Sequence, residues 1–89
     1  MKAVITVTGK DSVGIIAKVA TACAAYGANI VDISQSVLKE YFAMIMLADI
    51  DSLTVEFSEF VDKLDALGAE CGLDIHAMHE DIFNTMHHI

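Results

Sequence analysis

Residues 2 to 8 alternate, with Ala3, Ile5 and Val7 on one side and Lys2, Val4, Thr6 and Thr8 on the other. A period of two with one apolar side predicts a strand that buries one face. Near Val13 the period changes. Ile16, Val19, Ala20 and Cys23 fall at i, i+3, i+4 and i+7, the stripe of an amphipathic helix, and Gly27 stands where such a helix ends. From Ala28 to Leu38, Ile30, Val31, Ile33 and Val37 predict a second strand, although they do not share one face. That irregularity implies a bulge, or burial on both sides where the strand also meets a partner subunit. Lys39-Glu40 is a short connection. Tyr41 to Ile50 follows with Phe42, Met44 and Met46 on one face and Ala43, Ile45 and Leu47 on the other, the pattern of a central strand.

After Asp49-Ile50-Asp51-Ser52, Ser52 or Thr54 is placed to cap a second helix. Its stripe is Phe57, Phe60, Val61, Leu64, Leu67 and Cys71. Glu56, Glu59, Asp62, Lys63, Asp65 and Glu70 occupy the opposite side and read as a solvated surface, not a catalytic array. Gly72 closes this helix. Leu73, Ile75 and Ala77 against Asp74, His76 and Met78 then predict a fourth, half-buried strand. Residues 81–89 form a C-terminal extension in which Ile82, Phe83, Met86 and Ile89 are spaced as in a short helix.

The order is βαββαβ, with a faint repeat between Gly27-Ala28-Asn29-Ile30 and Gly72-Leu73-Asp74-Ile75. Two interleaved right-handed βαβ units predict an α+β, ferredoxin-like sandwich, a four-stranded antiparallel sheet with two helices on one face. Residues 1–89 are expected to make a single domain. The bare face or an edge strand should be covered by a second copy, giving a homodimer, with a higher oligomer left open.

Thirteen acidic residues against five lysines and no arginine leave a net charge of −8. Nucleic-acid and anionic-membrane partners are not expected, because no basic cluster is present to neutralise phosphates. No run is long enough to span a bilayer and no signal-peptide pattern opens the chain, so a cytoplasmic location is expected. Cys23 and Cys71 fall on apolar helix faces and read as reduced core residues.

The chemistry is sparse. No nucleophile elbow, phosphate loop or paired-cysteine zinc spacing occurs, so a non-catalytic protein without a cofactor is expected. His76, His79, His87 and His88 are the obvious metal candidates, but strand alternation turns His76 and His79 to opposite faces. The strongest candidate is Thr8-Gly9-Lys10-Asp11-Ser12-Val13-Gly14, where a strand passes into a helix through glycines. Backbone N–H groups at a helix start suit an anion, and Lys10 is the only lysine in the turn. The alternative is that the glycines only let the chain turn. Asn29, at the start of the second strand, offers both donor and acceptor for the carboxylate and ammonium of a zwitterion, or simply makes a turn after Gly27.

The run Ile5 to Ala17, followed by Gly27-Ala28-Asn29-Ile30, resembles the ACT domain family. The likeness extends to about residue 80 and is closest to small stand-alone ACT proteins. It is more distant to the ACT modules of the glycine-cleavage repressor and of formyltetrahydrofolate deformylase. It implies a regulatory module binding a small ligand, an amino acid, between two subunits. Carried onto this chain, the implied turn positions are Asp11, Ser12, Val13 and Gly14 beside Lys10, and the second-strand positions are Asn29 and Ile30. Where many relatives have proline before the glycine, this chain has Val13, which implies a less rigid turn. Two alternatives stay open: a ligand-free module that docks on an enzyme or transporter, and a metal-binding protein using the histidines.

Overall fold

The computed structural model describes residues 1–10 and 14–86. The elements are β1 (Lys2–Lys10), α1 (Ile15–Ala25), β2 (Asn29–Leu38), β3 (Tyr41–Asp49), α2 (Phe57–Cys71), β4 (Leu73–His79) and α3 (Glu80–Met86). The strands form one sheet in the order β2-β3-β1-β4, antiparallel at every pairing. This is the ferredoxin-like sandwich that the alternation and periodicity predict.

Burial follows the pattern of side chains. Ala3, Ile5 and Val7 of β1, with Phe42, Met44, Met46 and Ala48 of β3, form the floor of the core. Ile15, Val19 and Cys23 of α1 and Phe60 and Leu64 of α2 close it from above. The core contains no buried polar or charged residue among those described, so packing needs no internal polar network. The thiol of Cys23 is pushed up to about 11 by burial, which keeps it protonated and inert.

Local signals account for the ends of the elements. Gly27 has φ 81°, its N–H donates to the Ala24 carbonyl and the N–H of Ala28 donates to the Cys23 carbonyl, which together make a Schellman ending for α1. The loop before α2 ties onto the same point, since both the N–H and the hydroxyl of Thr54 donate to the Tyr26 carbonyl, at 2.8 and 3.1 Å. Thr54 therefore does not cap α2. That helix begins after Glu56 with no side-chain cap, and Gly72 closes it at φ 71°.

Two strands depart from the simple pattern. β1 continues through Gly9 and Lys10, which pair with Phe42 and Tyr41, so the connection to α1 is shorter than the glycine spacing suggests. β2 is irregular because Val31 is skipped in the pairing with β3, the bulge that its mixed alternation predicts. β2 is also an edge strand, exposed along nearly its whole length. On the face away from α1 and α2, α3 lies against β1 and β4, and Val4 is only 4% exposed there. The β3 part of that face stays open, with Tyr41 and Ile45 about half exposed.

Candidate functional site

The start of α1 is built on Gly14, which sits at φ 83° and ψ 11° in the left-handed region. Its carbonyl accepts from the N–H of Lys18 at 2.9 Å, the first bond of the helix. No side chain caps this end among the described residues. A Cβ added at Gly14 would meet nothing within 4 Å among the described residues. The backbone angle by itself favours glycine here. Lys10 ends β1 opposite Tyr41 and is exposed. Asp11, Ser12 and Val13, the central turn positions, lie outside the described residues.

Asn29 and Ile30 stand at the other end of the molecule. Asn29 pairs with Asp49, which pairs with Lys2, whereas Lys10 pairs with Tyr41 at the far end of the same ladder. The eleven residues of α1 separate Gly14 from this end by roughly 16 Å at the rise of an α-helix. Pairing also assigns the two residues to different faces. Asn29 lies beside Asp49 on the face away from α1 and α2, and Ile30 beside Ala48 on the core face. A single chain thus keeps the two halves of the expected site apart.

The Asn29 end is rich in charge. The amino terminus of Met1 donates to Asp51 and holds its carboxyl below the ordinary range, with a smaller contribution from Asp49. The N–H of Asp51 also donates to the Asp49 carboxylate at 2.9 Å. Elsewhere, His79 stacks on Phe57 at 4.1 Å between ring centroids, whereas His76 is exposed and pairs with Thr6. Among the described residues, no three His, Cys, Asp or Glu side chains converge as metal ligands. His87 and His88 lie outside the described residues.

Two surface features lie away from these positions. Val31, Ile33, Val37 and Leu38 of edge strand β2 are 38 to 72% exposed, and Ile16 on α1 is 38% exposed. A groove also runs between α1 and α2 on their outer side. The clustering of Ala17, Thr21, Ala22 and Ala25 on α1 is the signal that could have revealed it.

The sequence pattern of the ACT domain family matches residues 2–78. The chain belongs to the ACT domain family. A UPF0237 protein of Listeria innocua is 47% identical over 87 residues, covering 98% of both chains. Among solved structures, an ACT domain protein from Streptococcus pneumoniae superposes with a TM-score of 0.81 at 41% identity over 93% of each chain. The regulatory subunit of aspartate kinase from Thermus thermophilus, in its ligand-free form, gives a TM-score of 0.67 at 28% identity. That match covers 86% of this chain and 50% of the other. ACT domains are typically regulatory modules that bind small ligands. No helix among the described residues of this one is long and apolar enough to cross a membrane.

Proposed function

We propose that this ACT domain is a non-catalytic regulatory module whose two copies pair through β2 and bind an amino acid at the shared boundary. The observation that carries the reading is the separation of Gly14 from Asn29 within one chain, together with the exposed apolar edge between them. Monomers seldom leave a contiguous apolar strip uncovered. On this unpaired edge Ile33 and Val37 lie on the helix side, opposite Met46 and Phe42, and both are exposed, as are Val31 at the bulge, Leu38 on the other face and Ile16 of α1. Antiparallel pairing of two β2 strands about a two-fold axis brings the Asn29 end of one copy to the Gly14 end of the other. In that arrangement the helix start around Gly14, with Lys10, Asp11, Ser12 and Val13, faces the ligand carboxylate. Asn29 and Ile30 come from the second chain. The resemblance to the regulatory subunit of aspartate kinase supports the regulatory reading.

Thermal unfolding of the untagged protein against the free amino acids tests this directly. A ligand at a hundred times its dissociation constant stabilises each site by about 2.7 kcal/mol, several degrees in a domain of this size. Asn29→Ala should abolish that response while leaving the unliganded midpoint within about a degree. No response to any amino acid, with a single partner protein recovered in fixed proportion, would replace this reading with that of a docking module.

A further inference from the structure

On the face away from α1 and α2, Val4, Leu47 and Met78 stand side by side, because Val4 pairs with Leu47 of β3 and with Met78 of β4. Val4 is buried although it points away from the core between sheet and helices. The element packed against β1 and β4 on this face is α3, which covers it.

That cover is loosely seated. None of the seven residues of α3 is buried, and Ile82 and Met86 are more than half exposed. Open space adjoins the helix at both ends. A hollow of about 400 Å³ is lined by Lys2, His79, Glu80 and Ile82, and another of about 450 Å³ by Thr6, His76, Phe83 and Met86. A helix bordered in this way forgoes much of the dispersion contact that close packing supplies. Its length gives no independent support, since isolated helices shorter than roughly 12–15 residues are marginal in water. The Thr85 hydroxyl donates to the Asp81 carbonyl at 2.9 Å, inside the helix, and adds no tie to the sheet.

The chain just before α3 is held more firmly. His79 ends β4 opposite Ala3, and Glu80 begins α3 with no linker between. The His79 ring stacks on Phe57 of α2, 4.1 Å between centroids. This contact pins the hinge to the opposite side of the sheet, so motion starts at Glu80.

We infer that α3 is a strap that lifts from the sheet as a unit about Glu80 while the sandwich beneath stays folded. Closed, it covers the row of Val4, Leu47 and Met78. Open, it joins that row to the exposed Ile45, two residues from Leu47 on the same face of β3, in one uncharged apolar strip. The strap thereby sets how much apolar sheet the molecule presents. Elements with few buried contacts open locally at a fraction of the global unfolding free energy, and α3 has that character where β1 does not. The device lies within one chain and does not depend on β2 pairing.

Thiol labelling of the full-length Val4→Cys chain by a small aromatic disulfide, located by peptide mass mapping, tests this. Cys23 in the core is the internal reference. Relative to an unfolded peptide, the introduced thiol should be protected roughly ten- to hundredfold, and Cys23 about a thousandfold or more, the range that global unfolding sets. Urea should change the first rate little and the second steeply, because local opening exposes little surface. Phe83→Ala should speed labelling of the introduced thiol several-fold and leave Cys23 unchanged. In the parent chain, hydrogen exchange reads the same opening without the new thiol: the amides of Asn84, Thr85 and Met86 should exchange well ahead of those of Ile5 and Val7. Equal protection and equal urea dependence at both thiols, or for both sets of amides, would overturn the inference, since α3 would then open only with the whole fold. Labelling of the introduced thiol at the rate of an unfolded peptide, with Cys23 still protected, would also overturn it, since no closed state would exist.

Discussion

At Gly14 the cost of a side chain comes from the backbone angle. With φ at 83° and no atom of the described residues within 4 Å of an added Cβ, Gly14→Ala should lose about 1–2 kcal/mol, the penalty of the left-handed region for an L-residue. Gly14→Asn should lose less, because asparagine tolerates that region. Urea unfolding of both variants checks the order. At Gly27 an added Cβ would instead lie 2.3 Å from the Ser52 carbonyl oxygen, so that backbone would have to move and Gly27→Ala should be costlier than Gly14→Ala. Asp51 gives a pH-dependent expectation. Its folded pKa lies below its ordinary value of 3.8 because of the amino terminus beside it. The stabilisation from this pair is complete above that ordinary value and is lost as pH falls through the depressed one. Because the pair is exposed the effect is small. Thermal midpoints of Asp51→Asn and the parent should differ slightly at pH 6 and converge as the solution is acidified through and below the depressed value.

At the scale of elements, the interior was legible where one period ruled. Ala3, Ile5 and Val7 alternate and Phe57, Phe60 and Leu64 keep helical spacing, so core faces could be assigned without coordinates. Three things could not. Gly9 and Lys10 have weak strand preference, and only the pairing of β1 with Phe42 and Tyr41 keeps them in the sheet. Thr54 looked like a helix cap because capping is local, but its hydroxyl is taken by the Tyr26 carbonyl, 28 residues earlier in the chain. The spacing of Gly14 and Asn29 within one chain was not legible either, because only the coordinates show that α1 holds them at opposite ends of the molecule. Edge strand β2 supplies the corresponding prediction. Val37 is 55% exposed, so Val37→Lys should change the stability of an isolated chain by less than about 0.5 kcal/mol. Placed in a paired β2 edge, the same lysines should weaken dimerisation by roughly tenfold or more. Sedimentation equilibrium compares this variant with Ser58→Lys on exposed α2, which should leave association unchanged.

The whole molecule adds a constraint that no single contact reveals. Each chain carries a net charge of −8, and bringing two together places like charges within a few screening lengths of each other. At about 0.01 M salt the Debye length is roughly 30 Å, comparable to the extents of this protein, whereas at 0.15 M it is roughly 8 Å. In the proposed dimer, apolar burial along β2 must therefore overcome a repulsion that salt removes. Most exposed salt-bridged interfaces weaken as salt is added; this one should strengthen, because it gains apolar area and relieves repulsion in the same step. Under the proposed function, ligand binding is coupled to that equilibrium. If the amino acid sits between chains, it favours the dimer, and by reciprocity the dimer favours the ligand by the same factor. Raising salt at fixed, low protein concentration should then tighten apparent amino-acid affinity even though a zwitterion carries no net charge. Isothermal titration at low and physiological salt, at two protein concentrations, tests this coupling. Affinity that is flat in both variables would place all binding within single chains and leave β2 pairing without a role in it.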